Sequence, residues 1–494
     1  MRNKILFLLT LLIVACSSPQ TNVEVATPTI PVFEALPVTD TPVLPTETPL
    51  PTVTPVPALE KAIYTLDVLI DYDAKTVGVN QNILYPNLTG NQLNNLVIAI
   101  VPNLWQGSFN LTSISINGEA ITNYLITNQR LDIPLSFFLA PNETVDIDIQ
   151  YSLALPFAEQ EDPSISRPRI YGYTSRQINL TNWYPFVVPN INGEWVLHEP
   201  WYYGEHLVYD AADYEVNLKF VDPASAPIVA SSGVPETQAD GSITYKINSA
   251  RTFALSASRD FQTSTTQFGD VTLTSYYFPF NERGGQAALQ ATLESMQVFS
   301  QRYGAYPHKS LAIVMGDFND GMEYSAFYYL SKDFYNLYDG TPANYLTFVA
   351  VHETAHQWWF EQVASDQALQ PWVDEALATY SERIYYESVY PDLVSWWWTY
   401  RIDFYKPGGF VDIPIYEGEG FRPYTNATYF QGAKFLENVR QRIGDEAFNA
   451  FLQDYLNQGR GKIITANDFF RILRTHTSAD ISDLLNQYFR SIYQ

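Results

Sequence analysis

The pentad His352-Glu353-Thr354-Ala355-His356, followed after eighteen intervening residues by Glu375, fixes more about this chain than any other feature. Residues four apart share one face of an α-helix, so two imidazoles at that spacing converge on a single point. Glu353 stands one step round the same helix, poorly placed to ligate an ion but able to take a proton from water at an open position. A catalytic zinc takes three protein ligands and leaves the fourth place free, and Glu375 supplies the third. The chain must therefore bring two helices together around one buried point, and the donor set implies a zinc peptidase with its general base built in.

The flanking residues agree with that geometry. Leu346 to Val351 is almost wholly apolar, as a buried helix running into the pentad would be. Pro371 suits the first turn of a second helix, on which Glu375, Thr379 and Glu382 share roughly one face. Glu382 reads either as a partner that orients a ligand histidine or as part of a solvated acidic face. His198, His206, His308 and His476 have no paired ligand spacing and read as hydrogen-bonded structural residues.

These motifs resemble those of the gluzincin aminopeptidases of the aminopeptidase N family. Gly321-Met322-Glu323-Tyr324 is similar to the Gly-x-Met-Glu-Asn element, whose glutamate grips the substrate's free amino group. The resemblance gives that role to Glu323, with Gly321 and Met322 beside the substrate. Tyr429-Phe430-Gln431-Gly432-Ala433 is similar to the Tyr-x-Lys-Gly-Ala element, so Tyr429 is expected to support the oxyanion. Tyr324, Gln431 and Asp374 depart from the residues usual at their places. Asn182-Trp183-Tyr184-Pro185 with Asn192-Gly193-Glu194-Trp195 resembles a bacterial subgroup and leaves the family's second amine-binding residue unplaced. Chemically, a carboxylate near the ion pairs with an ammonium and makes cleavage exo, and a phenol donates to developing negative charge.

The amino terminus points to export. Arg2 and Lys4 precede an apolar run from Ile5 to Val14, too short for a permanent span but right for a secretory signal. Ile13-Val14-Ala15-Cys16 resembles the bacterial lipobox, which implies a lipid anchor on Cys16 and a membrane-anchored lipoprotein on the extracytoplasmic face. Cys16 is the sole cysteine, so no intrachain disulfide exists. Residues 17–59 are dense in Pro, Thr and Val and read as an extended spacer, on the order of 100 Å at about 3.1 Å per residue.

Residues 60–262 alternate apolar and polar positions, as at Leu66, Val68, Ile70 and Tyr72, at Ile114 and Ile116, and at Val145, Ile147 and Ile149, with a turn at Asn117-Gly118. An all-β domain is expected there, and the resemblance implies a saddle-like sheet. Residues 263–494 read as an α+β catalytic domain, thermolysin-like by the resemblance. Helices are expected at 286–303, from 341 onward, and at 433–444, 446–457, 467–474 and 480–493. The large helical third domain of longer relatives is not expected, which leaves the cleft more open.

The formal charge of −25 excludes nucleic acid as a partner, because phosphates would be repelled. Trp358-Trp359 and Trp396-Trp397-Trp398 read as core more readily than as cleft lining. The expected reaction is hydrolysis of the first bond of an unblocked peptide. An endopeptidase on the same fold, or a non-catalytic ligand-binding lipoprotein with structural zinc, stays open; the latter gives Glu353 and Tyr429 no reason to accompany the ligands.

Overall fold

The computed structural model describes residues 59–158, 170–319 and 321–493. The expected signal, lipobox and nearly all of the spacer lie outside them.

Strict alternation in the first strands builds a broad mixed sheet. Ala62–Asp71 pairs antiparallel with Thr76–Pro86 and parallel with Ala212–Phe220. Thr144–Ala154 and Phe109–Ile116 extend one side, and Ile243–Ala250 and Val234–Thr237 the other, in an eight-stranded sheet. Leu66, Val68, Ile70, Ile114, Ile116, Val145, Ile147 and Ile149 all face one core. A one-residue slip would turn that whole set to solvent, which pins the register. Asn117 (φ 52°) and Gly118 (φ 79°) take the left-handed conformations that a tight hairpin turn needs. Two four-stranded sheets and a two-stranded one, Asn190–Ile191 with Glu194–Trp195, complete this β-rich half.

A five-stranded sheet follows, in the order Gln262–Phe268, Val271–Tyr277, Ser310–Gly316, Phe327–Ser331, Met322–Tyr324. The first and last strands pair antiparallel with their neighbours and the inner pairs are parallel. Helix Glu282–Arg302 packs on this sheet and on helix Tyr345–Ala355, which in turn packs on helix Trp372–Val389. Helices Gly432–Ile443, Asp445–Gly459, Ala466–His476 and Ser482–Tyr488 close the α+β half. Among the described residues no helix is long and apolar enough to cross a membrane.

Two helical expectations need correcting. The helix expected at 286–303 begins one turn earlier, at Glu282. The one expected at 480–493 ends at Tyr488: Phe489 turns extended and packs against Phe435 and Phe470, while Asp412 accepts from the backbone N–H groups of Arg490 and Ser491 at 2.9 and 2.8 Å. Aromatic burial and a carboxylate acceptor replace the last helical turn.

Arg251, buried among the strands of the β-rich half, ties it to the helical half. Its guanidinium donates to the backbone oxygens of Glu361 (3.2 Å), Tyr209 (3.0 Å) and Lys462 (2.9 Å). A fully buried charge needs such acceptors. His308 and Ser325 engage the carboxylate of Glu361 beside it.

Candidate active site

Asn344 caps helix Tyr345–Ala355, its side-chain oxygen accepting from Thr347 N at 3.1 Å. His352 and Glu353 lie on the last turn, and His356 is the residue that ends it, still right-handed helical. Their rings therefore keep the four-residue spacing, 4.8 Å between centroids. Pro371 opens helix Trp372–Val389 and places Glu375 in its first turn. Glu375 Oε2 lies 3.2 Å from His352 Nε2 and 3.6 Å from His356 Nε2. The three donor atoms lie within 4.8 Å of one another, and all three residues are buried.

Both rings are held at their other nitrogen. His352 Nδ1 donates to Glu382 Oε1 at 3.0 Å; His356 Nδ1 donates to Asp374 Oδ1 at 2.8 Å and to the Trp359 carbonyl at 3.2 Å. These contacts turn each Nε2 toward the shared point, and an ion bound there would leave the proton of each ring on Nδ1. Glu382 takes two further bonds from Arg401 (2.9 and 2.8 Å) and one from Trp397 Nε1 (2.8 Å). Burial alone would raise its carboxyl, but Arg401 outweighs that and holds it below the usual range. Glu382 is thus no solvated face. Trp358, Trp359 and Trp397 are core, with Trp397 serving Glu382.

Two imidazole nitrogens and a carboxylate oxygen, dry and preoriented, with no guanidinium or ammonium among them, are the donor set that zinc takes. Burial raises the carboxyl of Glu375 well above its ordinary value; a dication at this point would reverse that direction by favouring the ionised form. A second cluster, Glu323, His356 and Asp374, shares His356; because Asp374 is already the acceptor for its Nδ1 proton, it is not a separate centre.

Glu353 is buried beside the triad, and its Oε2 has no hydrogen-bond partner. Burial pushes its carboxyl up to about 8. Gly321 packs against it so closely that an added Cβ would lie 2.6 Å from Glu353 Oε1. Glu323 sits on the edge strand Met322–Tyr324 and accepts from Gln367 Nε2 at 3.2 Å; the same amide bonds Asp374 at 2.8 Å. Burial raises Glu323 well above the carboxylate range, with the Glu205 charge adding to it. Tyr429 lies in a π-helical turn, Asn426–Gln431, donates to Glu375 Oε1 at 2.5 Å and lies nearly parallel to the His352 ring. Such turns often mark functional sites. The structure thus brings His352, Glu353, His356, Glu375, Glu323, Gly321 and Tyr429 to one cleft of about 560 Å³. Met322 lines a second, largely apolar cavity of about 470 Å³ on the far side of Glu323.

Sequence reasoning missed Glu205, which lines both spaces beside Glu323, and Gln367, which links Glu323 to the support of His356. No spacing could reveal them: Glu205 comes from the β-rich half, and Gln367 from the loop between the two ligand helices. His198, His308 and His476 pair with Asp366, Glu361 and Asp454. His206 departs from expectation, its Nε2 buried without a partner.

Residues 287–488 match the model of the peptidase family M1 domain. Aminopeptidase 2 of Candida albicans is 21% identical over 238 residues, 45% of this chain and 26% of that protein. The probable aminopeptidase 2 of Sulfurisphaera tokodaii is 25% identical over 151 residues, 28% and 19% of the two chains. The match thus spans about a fifth to a quarter of the length of these curated relatives. Among solved structures, a mutant M1 zinc metallopeptidase of Deinococcus radiodurans bound to a Tyr-Ser-Ala substrate aligns with a TM-score of 0.63 at 18% identity, over 88% of this chain and 96% of that one. A two-domain M1 zinc metallopeptidase mutant bound to L-tryptophan gives 0.62 at 18% identity, over 89% and 98%. At that identity the likeness establishes the fold: a β-rich half followed by a helical and β half.

Proposed function

We propose, from the premise that residues 287–488 belong to peptidase family M1, the aminopeptidase N family of gluzincins, that this protein is a zinc aminopeptidase hydrolysing the first bond of unblocked peptides. One observation carries the exo assignment: the buried carboxylate of Glu323 has an oxygen within 4.8 Å of a His356 ring nitrogen. An ammonium paired there holds the first peptide bond, and no later one, at the ligand cluster.

His352, His356 and Glu375 would hold the ion, which when bound polarises the scissile carbonyl and acidifies water. Glu353 takes the proton from the attacking water and returns it to the departing amine. The Tyr429 hydroxyl donates to the oxygen on which negative charge develops. Glu323 and Glu205 together grip the ammonium, so Glu205 takes the second amine-binding place. The working division of the chain is a β domain over 60–262 and a catalytic domain over 263–494.

For its location we propose export, with a lipid on Cys16 and the spacer of residues 17–59 holding the enzyme clear of the membrane. The masses of the amino-terminal peptides from wild type and Cys16→Ser test that anchor: the lipid is expected on the first alone. The activity is tested on matched peptides with free and acetylated amino termini. Chelator-sensitive cleavage of the free set alone is expected; cleavage of both would indicate an endopeptidase, and cleavage of neither a binding protein.

A further inference from the structure

The 560 Å³ cleft carries both signs of charge. Glu205, Glu323, Glu353 and Glu375 lie around the ligand cluster, and Asp333 and two guanidinium groups, Arg401 and Arg422, also line the cleft. The two arginines are not equivalent. Arg401 gives Nε and an Nη to Glu382, so its charge is committed to the support of His352. Arg422 is exposed and lies over the Tyr405 ring at 4.1 Å and the Phe421 ring at 5.9 Å, with no carboxylate in salt-bridge reach among the described residues. In a chain with 53 acidic and 28 basic residues, a cleft arginine resting only on aromatic faces is a cation free to meet an anion from outside the chain.

The wall beneath Arg422 leads to the start of the ligand helix. Tyr405 packs on Phe430 and shares a hydrogen bond with the Tyr345 hydroxyl. Tyr345 opens the helix that carries His352 seven residues later, an axial separation of roughly 10 Å at 1.5 Å per residue. Arg422 therefore stands toward the start of the helix whose end carries the ligands, in the same cleft.

We propose that Arg422 receives the carboxy-terminal carboxylate of the substrate, making short zwitterionic peptides the preferred class. The inference rests on the aminopeptidase reading. Carboxylates at the ligand cluster and a guanidinium that none of them answers suit the two termini of such a peptide, and the guanidinium fork suits bidentate capture of a carboxylate. Because Arg422 is solvent-accessible, its contribution is modest and acts on binding: roughly a three- to tenfold difference in KM.

The test uses the zinc-loaded full chain on one tripeptide in two forms, free carboxylate and carboxy-terminal amide. The wild type should show a three- to tenfold lower KM for the acid, with kcat alike for the two. In R422Q that advantage should vanish, and in R422K part of it should remain, because an ammonium keeps the charge and loses the fork. Equal KM values for acid and amide in the wild type, or an advantage that survives in R422Q, would overturn the anchor and leave the aminopeptidase reading standing. Hydrolysis of neither form would overturn both.

Discussion

The two imidazoles that face one point rest on different ground. His352 leans on Glu382, a fully buried carboxylate whose charge is answered by Arg401 and whose remaining acceptor capacity is taken by Trp397. His356 leans on Asp374, which is answered by the amide of Gln367 and not by a cation. The first support is a closed ionic network reaching away from the cleft. The second reaches back into it, because Gln367 also bonds Glu323 at the amine end. Disturbance under His352 should therefore loosen the metal, and disturbance under His356 should be felt by the substrate.

The largest effect lies between the two supports. Glu353 rests on neither, so Glu353→Gln should keep zinc affinity within about twofold while kcat falls roughly 10²–10⁴-fold. Zinc titration alongside turnover checks the separation; retained turnover would end the proposed mechanism. Next comes Glu382→Ala, which should weaken zinc binding by roughly 10–100-fold in chelator competition. It should also lower the thermal midpoint, because Arg401 is left buried and unpaired. Asp374→Asn is expected to do less to the metal, under about tenfold, since an amide oxygen can still accept from His356 Nδ1. Its amide nitrogen would meet the Gln367 donor, however, and a displaced Gln367 releases Glu323, so KM should rise several-fold. Equal zinc loss in the Glu382 and Asp374 variants would erase the distinction.

The smallest effect is one of pH. Burial lowers the His206 imidazole from 6.5 to about 4. A depressed folded pKa contributes stability that is complete above 6.5 and is lost as pH falls through about 4. The whole step is about 3 kcal/mol, of which less than about 1 kcal/mol falls between pH 7 and 6. His206→Gln should flatten the thermal midpoint against pH over that window. An unchanged slope would show that this histidine, at the edge of the amine end, is not what the acid limb reports.

Much of the catalytic half was legible because its signals are local. Apolar period and a first-turn Pro371 set the two ligand helices, and the four-residue spacing set the rings. Strand alternation gave the large sheet for the same reason. The π-turns at Trp397–Ile402 and Asn426–Gln431 were not legible. Both stretches are rich in aromatic and β-branched residues, which weaken a helix without marking a π-turn, and the extra residue per turn is decided by what the turn packs against. The same holds for the lost last turn after Tyr488, where Phe489 follows an aromatic core its sequence neighbours cannot reveal.

What the sequence alone determined is which two imidazoles and which carboxylate meet, the Glu353 carboxylate beside them and the element types that carry them, since each depends on residues within a few turns of one another. Only the tertiary structure decided what holds and surrounds them. Glu205 arrives from a β-rich half more than a hundred residues upstream of the pentad. Arg401 is spent on Glu382 while Arg422 is left over Tyr405, and Glu382 faces an imidazole instead of water. Those outcomes follow from which surfaces are driven together when the two halves bury their apolar faces, and that is a property of the packed chain and not of any segment of it.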